Sequence, residues 1–91
     1  MIEPKTPLFV LLKDCGEVES YGSVEALLGQ LEAIDVENNE YEVWDAEGRK
    51  VLLRTEESGR FRSKKIVLGS VEIQLDLRLA SELSAKVTRE Y

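Results

Sequence analysis

The segment that follows Gly22 constrains the fold most, because it carries a single apolar stripe at helical spacing. Its apolar residues recur three or four positions apart: Val24, Leu27, Leu28, Leu31 and Ile34. This spacing places them on one side of an α-helix. Ser23 is a favoured N-cap residue, and Glu25 lies in the first turn, where the helix dipole favours negative charge. We therefore predict a helix from Ser23 to Ile34 that buries its stripe against a sheet.

A hairpin is predicted before this helix. Leu8 to Asp14 is predicted to be a strand, because it begins with the unbroken apolar run Leu8 to Leu12, which is typical of a strand covered on both faces. Cys15 and Gly16 turn the chain, and Glu17 to Tyr21 is predicted to return as the antiparallel partner strand.

A second hairpin is predicted after the helix. A strand over residues 40–45 carries Tyr41 and Val43 on one side and Glu42 with Trp44 on the other, since alternate residues of a strand face opposite ways. Asp45 to Gly48 has the composition of a type I turn, with Asp first and Gly fourth. Lys50 to Thr55 is the predicted partner strand, and Glu56 to Gly59 a further turn.

The last third of the chain gives a less regular pattern. Apolar and polar residues alternate from Val71 to Leu79, which predicts a half-buried strand. Ile66 to Leu68 precedes it, and Gly69-Ser70 fits either a two-residue hairpin turn or a bulge within one long strand. Ala80 to Tyr91 favours a short terminal helix, because Leu83, Val87 and Tyr91 recur every fourth residue.

These elements predict one α+β domain over residues 1–91, in the order ββα, then three or four strands, then α. Every link between strands is short, so the sheet of five to six strands should be mainly antiparallel. We expect two layers, with the central helix and the C-terminal helix packed on the sheet.

The absence of histidine constrains function most. Histidine is the commonest general base and metal ligand, so the usual serine or cysteine triad cannot be built. We expect no catalytic residues, no metal and no cofactor. Asp35, Glu37 and Asn39 have calcium-loop spacing, but Glu40 and Ala46 then break the motif. One cysteine and the lack of a long apolar segment predict a cytoplasmic chain without a membrane span.

Charge is distributed unevenly along the chain. Between Lys13 and Arg49 there is no basic residue, and every charged residue is acidic: Asp14, Glu17, Glu19, Glu25, Glu32, Asp35, Glu37, Glu40, Glu42, Asp45 and Glu47. Such a region either solubilises the domain or attracts a basic protein. An exposed aromatic residue is a favoured interface anchor. We therefore predict a partner surface that comprises Glu37, Glu40, Glu42 and Trp44.

Four basic residues form the opposite feature: Arg60, Arg62, Lys64 and Lys65. Beside Phe61 they could contact a nucleic-acid strand, but four bases are a small footprint on a chain of net charge −6. We expect no nucleic-acid binding. The expected role of the cluster is to neutralise nearby acids or to protect an edge strand from pairing.

The stretch from Ile34 to Gly48, extended back through the turn at Lys13-Asp14-Cys15-Gly16, resembles the middle of small uncharacterised bacterial proteins of similar length. The resemblance implies a bacterial accessory protein and supplies no catalytic residues. The leading hypothesis is a non-catalytic protein-interaction module, an inhibitor or immunity-type protein for a basic partner. The alternatives are a ligand-binding protein or an enzyme that uses carboxylates and Tyr21 or Tyr41, and a homo-oligomeric structural protein, such as a homodimer.

Overall fold

The computed structural model describes residues 3–58 and 63–91, within which six strands and three helices form. In chain order they are β1 (Leu8–Leu12), β2 (Val18–Tyr21), α1 (Val24–Gln30), α2 (Ala33–Glu37), β3 (Tyr41–Trp44), β4 (Lys50–Ser58), β5 (Ser63–Val71), α3 (Leu77–Lys86) and β6 (Val87–Glu90).

The six strands form one open sheet in the order β5-β4-β3-β1-β2-β6. All neighbours are antiparallel except β2 and β6, which are parallel. The prediction of a mixed α+β fold with a mainly antiparallel sheet is confirmed. β1 lies in the middle, where Val10 is opposite Glu19 of β2 and Val43 of β3.

Helices cover both faces of this sheet, so the expected two-layer packing is wrong. Alternate residues of β1 contribute to two separate cores. Leu8 and Val10 pack with Leu27 of α1, whereas Phe9 packs with Leu83 of α3. The apolar run of β1 thus serves two faces at once, as its lack of polar residues predicts.

The predicted central helix is two short helices. Ser23 caps α1 as expected, since its Oγ accepts a hydrogen bond from the Ala26 N–H at 3.1 Å. The chain then becomes extended at Leu31, which is buried in the core, and at Glu32, and α2 begins at Ala33. Ile34 is consequently 62% exposed, so it does not continue the buried stripe.

The C-terminal third differs most from expectation. Glu72 to Asp76 is outside any helix or strand, and α3 begins where a strand was predicted. The Asp76 carboxylate caps α3 by accepting from the Leu79 N–H at 3.0 Å. The predicted terminal helix ends at Lys86, because β-branched Val87 and Thr88 start an edge strand beside β2.

Gly69 and Ser70 lie inside β5, so the bulge alternative is correct and the hairpin turn is not. The pairing with β4 shifts between Val51 and Leu53. A Cβ on Gly69 would lie 2.5 Å from the Leu52 carbonyl oxygen, so this bulge requires glycine. The turn expected at Glu56 to Gly59 is wrong for residues 56–58, which belong to β4, and Gly59 lies outside the described residues.

Candidate functional site

The turn that joins β3 to β4 is built around a buried carboxylate. Asp45 Oδ1 accepts from the N–H groups of Glu47 and Arg49, at 3.0 and 2.9 Å. Its Oδ2 accepts from the Lys5 N–H at 3.1 Å and from Arg49 Nε at 2.7 Å. Burial alone would raise the pKa of Asp45, but these hydrogen bonds outweigh it and lower the pKa. The carboxylate therefore fixes the turn as an anion.

Gly48 completes this turn, which we call the closed end of the β3–β4 pair. Its φ is 77°, and its N–H donates to the Asp45 carbonyl oxygen at 3.0 Å. A Cβ at this position would lie 2.0 Å from the Asp76 carbonyl oxygen, so the turn packs directly against the chain that enters α3. The type I composition predicted for Asp45 to Gly48 matches a turn at this position.

β3 and β4 separate beyond the turn. Within the described residues their ladder comprises Val43 opposite Val51 and Trp44 opposite Lys50, and β4 then continues beside β5. The separation leaves a cleft of about 280 Å³ inside the sheet. It is lined by Lys13, Val36, Asn39, Tyr41, Glu42, Val43, Lys50, Val51, Leu52 and Leu53.

The backbone on both sides of this cleft has hydrogen-bonding groups directed into the gap. The Asp45 N–H points toward β4, since it donates to the Arg49 carbonyl at 3.0 Å. The Glu40 carbonyl points the other way, toward β1, since it accepts from the N–H of Lys13 at the end of β1. Because peptide groups alternate along a strand, those of odd-numbered residues in β3 and β4 point toward each other. By this alternation the peptide groups of Tyr41 and Leu53 point across the cleft, which we call the open end of the pair.

Two lysine side chains reach the rim of the cleft. Lys13 Nζ lies 3.8 Å from Glu42 Oε1, and Lys50 Nζ lies 4.2 Å from the centroid of the Trp44 ring. Desolvation lowers the pKa of Lys50; the charge of Lys13 lowers it further, and the Glu42 and Glu72 carboxylates offset part of the effect. The cleft thus combines two ammonium groups with one carboxylate.

A second depression, of about 470 Å³, lies at the end of the sheet where the β1–β2 turn meets the α2–β3 loop. Asp14, Asp35 and Glu40 line it together with Leu12 and Tyr41, and we call these five residues the acidic end. The Tyr41 hydroxyl donates to Asp35 Oδ2 at 3.1 Å. Burial, together with this hydrogen bond, raises the pKa of Tyr41 to about 12. Among the described residues no basic side chain lines this depression.

The four residues predicted to form one partner surface lie in three places. Glu37 ends α2, on the face of the sheet that α1 and α2 cover. Glu42 and Trp44 face the other side, where Trp44 packs beside the α3 core. Glu40 belongs to the acidic end. The structure therefore brings Glu42 and Trp44 together but not Glu37.

Glu37 forms an internal ion pair. Its carboxylate receives Lys64 Nζ at 2.8 and 3.0 Å and the Thr55 hydroxyl at 3.1 Å. The Lys64 bond, followed by the Thr55 bond, lowers the pKa of Glu37. Lys64 thus has the neutralising role expected for the basic cluster. Arg60, Phe61 and Arg62 lie outside the described residues.

Other chemical candidates have simple structural roles. The calcium-like pattern does not converge, since Asp35 binds the Tyr41 hydroxyl while Glu37 binds Lys64. Within the described residues no group of three or more Cys, Asp or Glu side chains could hold a metal ion. Cys15 is exposed in the β1–β2 turn. None of the helices in residues 3–58 and 63–91 combines the length and apolarity that crossing a bilayer requires.

Sequence reasoning missed the lysines of the cleft, because the pattern assigns Lys13 and Lys50 to strands and gives neither a functional role. A signal was present. The predicted hairpin about Asp45 to Gly48 pairs Trp44 with Lys50, which puts the lysine beside the indole on the same face as Glu42. The separation of β3 from β4 left no such signal, since both segments have ordinary strand composition.

These features define the class: a small mixed α+β domain with one open six-stranded sheet, a cleft within that sheet and an acidic depression at its end. Comparison with protein-family models, curated proteins and solved structures gives no match.

Proposed function

We propose that this chain is a non-catalytic protein-interaction module that binds a basic partner through its acidic end. The observation that carries the proposal is the convergence of Asp14, Asp35 and Glu40 around one depression that no base lines among the described residues. A one-signed, concave site of this kind favours a lysine or arginine side chain of an approaching protein.

The chemistry of the acidic end suits a cationic side chain with an aliphatic stem. Leu12 and Tyr41 supply apolar surface between the carboxylates, so a methylene chain would be covered while its charged head pairs with them. The long-range field supports the same partner, because the whole chain has a net charge of −6. An inhibitor or immunity-type protein for a basic enzyme is the most specific form of this proposal, with a bacterial cytoplasmic origin.

An enzyme based on tyrosine and carboxylates has less support. Tyr21 is fully buried and donates to Glu19 Oε1 at 2.9 Å, while Tyr91 donates to Glu19 Oε2 at 3.1 Å. Burial, followed by the bond to Glu19, raises the pKa of Tyr21, so its nucleophilic anion is disfavoured. This trio has the arrangement of a structural anchor for β6.

The decisive experiment compares two double variants of equal charge change. Asp14→Lys with Glu40→Lys reverses the acidic end, whereas Glu57→Lys with Glu82→Lys adds the same charge at exposed positions elsewhere. Each is used to capture partners from native lysate at low and high salt. We expect a basic protein that wild type and the control retain at low salt and the acidic-end variant loses. Equal retention by both variants would contradict the proposal.

A homo-oligomer is a second candidate, favoured by large apolar side chains that are exposed on β4 and in the segment leading into α3. Ile73, Leu75 and Leu77 are 76%, 56% and 66% exposed, and Leu52 of β4 is also exposed. Leu52 and Ile73 line one surface depression, and adjoining exposed apolar side chains of this kind mark interaction sites. Light scattering over a range of concentrations tests this candidate: self-association that Leu75→Ser removes would support it, and a constant monomer mass would reject it.

A further inference from the structure

We propose that the cleft between β3 and β4 binds a small organic carboxylate, held by Lys13 and Lys50. This site shares Tyr41 with the acidic end but none of its carboxylates, and it does not depend on the function proposed there. Its volume of about 280 Å³ suits a compact metabolite rather than a peptide.

The charge around the cleft is the first argument. Among the described residues, Lys13 and Lys50 line the space together with one carboxylate, Glu42, which lies 3.8 Å from Lys13. The described lining thus holds one more ammonium group than carboxylates, although Glu42 and, from outside the lining, Glu72 both attract Lys50. A bound carboxylate would supply the missing counter-charge, and ammonium–carboxylate hydrogen bonds are among the stronger ones in proteins.

The position and partial burial of the Lys50 ammonium group favour binding of an anion. Its ammonium group lies over the Trp44 ring rather than against a carboxylate, and burial penalises its charge. A ligand carboxylate would relieve this penalty. The stem of Lys50 needs only to turn from the indole toward the cleft, because the residue lines both the cleft and the neighbouring depression beside Trp44.

The rest of the lining selects an organic acid over a bare inorganic ion. Peptide groups of Tyr41 and Leu53 point into the gap, where an N–H can donate to a carboxylate oxygen. Val36, Val51 and Leu53 supply apolar surface that would contact a short hydrocarbon tail. The predicted ligand therefore has one carboxylate and a small apolar portion.

The single tryptophan gives a direct measurement. Butyrate is titrated into the full chain at neutral pH while Trp44 fluorescence is followed, with butyramide as the uncharged control of the same shape. We expect saturable change with butyrate and none with butyramide. Backbone amide shifts give a second readout that does not need Lys50 near the indole, and they should move at Leu53 and Val36.

Variants establish which residues hold the anion. Lys50→Gln and Lys13→Gln should each weaken butyrate binding by about tenfold, the loss expected for a charged hydrogen-bond donor. Lys65→Gln, at an exposed position on β5, is the matched control and should bind as wild type does. No saturable shift with butyrate, or an equal loss in the Lys65 variant, would overturn the proposal. Equal affinity for inorganic phosphate would overturn the assignment to an organic acid.

Discussion

The two ends of the β3–β4 pair differ in how their polar groups are satisfied. At the closed end, both Asp45 oxygens have protein donors, and the Arg49 guanidinium binds the same carboxylate and the Glu3 carbonyl. At the open end, the ladder of the described residues ends at Val43 opposite Val51, and the Lys50 ammonium lies over the Trp44 ring rather than in an ion pair with any described carboxylate. The closed end consequently stabilises the fold, whereas the open end is free to bind something else.

Asp45→Ala tests the closed end most severely. The substitution leaves the Arg49 guanidinium and several N–H groups buried without their acceptor, which costs about 3–5 kcal/mol of unfolding free energy. Urea denaturation followed by Trp44 fluorescence measures the loss. Glu47→Ala is the control, because this neighbour contacts Arg49 only at 3.9 Å and is exposed to solvent at its side chain. A cost below about 1 kcal/mol for Asp45→Ala would remove the proposed contrast.

Gly48→Ala tests whether the closed end also depends on its contact with the entry to α3. Gly16, in the β1–β2 turn, has nearly the same φ, 75° against 77°, but has no atom within 4 Å of a built Cβ. Gly16→Ala should cost about 1–2 kcal/mol for the left-handed backbone alone. Gly48→Ala should cost more, on the order of 3 kcal/mol, because the new Cβ meets the Asp76 carbonyl. Equal costs in urea denaturation would show that this contact is unimportant.

The closed end could largely be predicted from sequence, and the open end could not. Asp45 to Gly48 has a turn composition that is recognisable locally, and its neighbours alternate as strands should. The cleft between β3 and β4 could not be predicted from the sequence, because strand propensity indicates which residues form a strand but not how far that strand remains paired with its neighbour. The acidic end could likewise be predicted only in part. The sequence predicts Glu40 as part of a partner surface, but Asp14 lies beside it only because β1 pairs with β3.

The strand prediction for the C-terminal region was wrong for a related reason. The alternation of Ile73, Leu75 and Leu77 predicts a strand, yet the same segment contains Asp76 as an N-cap with Leu79 and Leu83 at helical spacing. Two periodicities overlap there, and burial decides between them. Leu83 is buried in the α3 core, whereas Leu77 stays exposed. Sequence alone does not indicate whether the alternating residues or the helically spaced residues will be buried in the core.

Acid pH should weaken the closed end selectively. Since the pKa of Asp45 is lowered in the folded chain, its contribution to stability is fully present above the unfolded-state pKa of about 4 and is lost as pH falls through the folded value. The stability difference between wild type and Asp45→Asn should therefore shrink below about pH 4. Denaturation midpoints measured from neutral to acid pH check this. A difference that stays constant over that range would mean that ionised Asp45 adds no stability.

At the open end, Tyr41→Phe should have a smaller effect. The change removes the bond from the Tyr41 hydroxyl to Asp35, which ties β3 to α2, and leaves a partly exposed carboxylate that water can solvate. We expect a loss of about 1 kcal/mol in urea denaturation. A loss comparable to that of Asp45→Ala would show that the open end is as rigidly built as the closed one.

Lys50→Met should have the smallest effect on unfolding free energy, and it tests the contrast between the closed and open ends most directly. Methionine keeps the length of the side chain over Trp44 and removes an ammonium group whose charge the folded state disfavours, as its lowered pKa indicates. The lost attraction to the indole, about 0.5–1 kcal/mol, and the relieved desolvation oppose each other. Unfolding free energy should therefore change by less than about 0.5 kcal/mol. A large loss would make Lys50 a structural residue like Arg49, whereas unchanged stability together with lost butyrate binding would mean that its charge serves the ligand and not the fold.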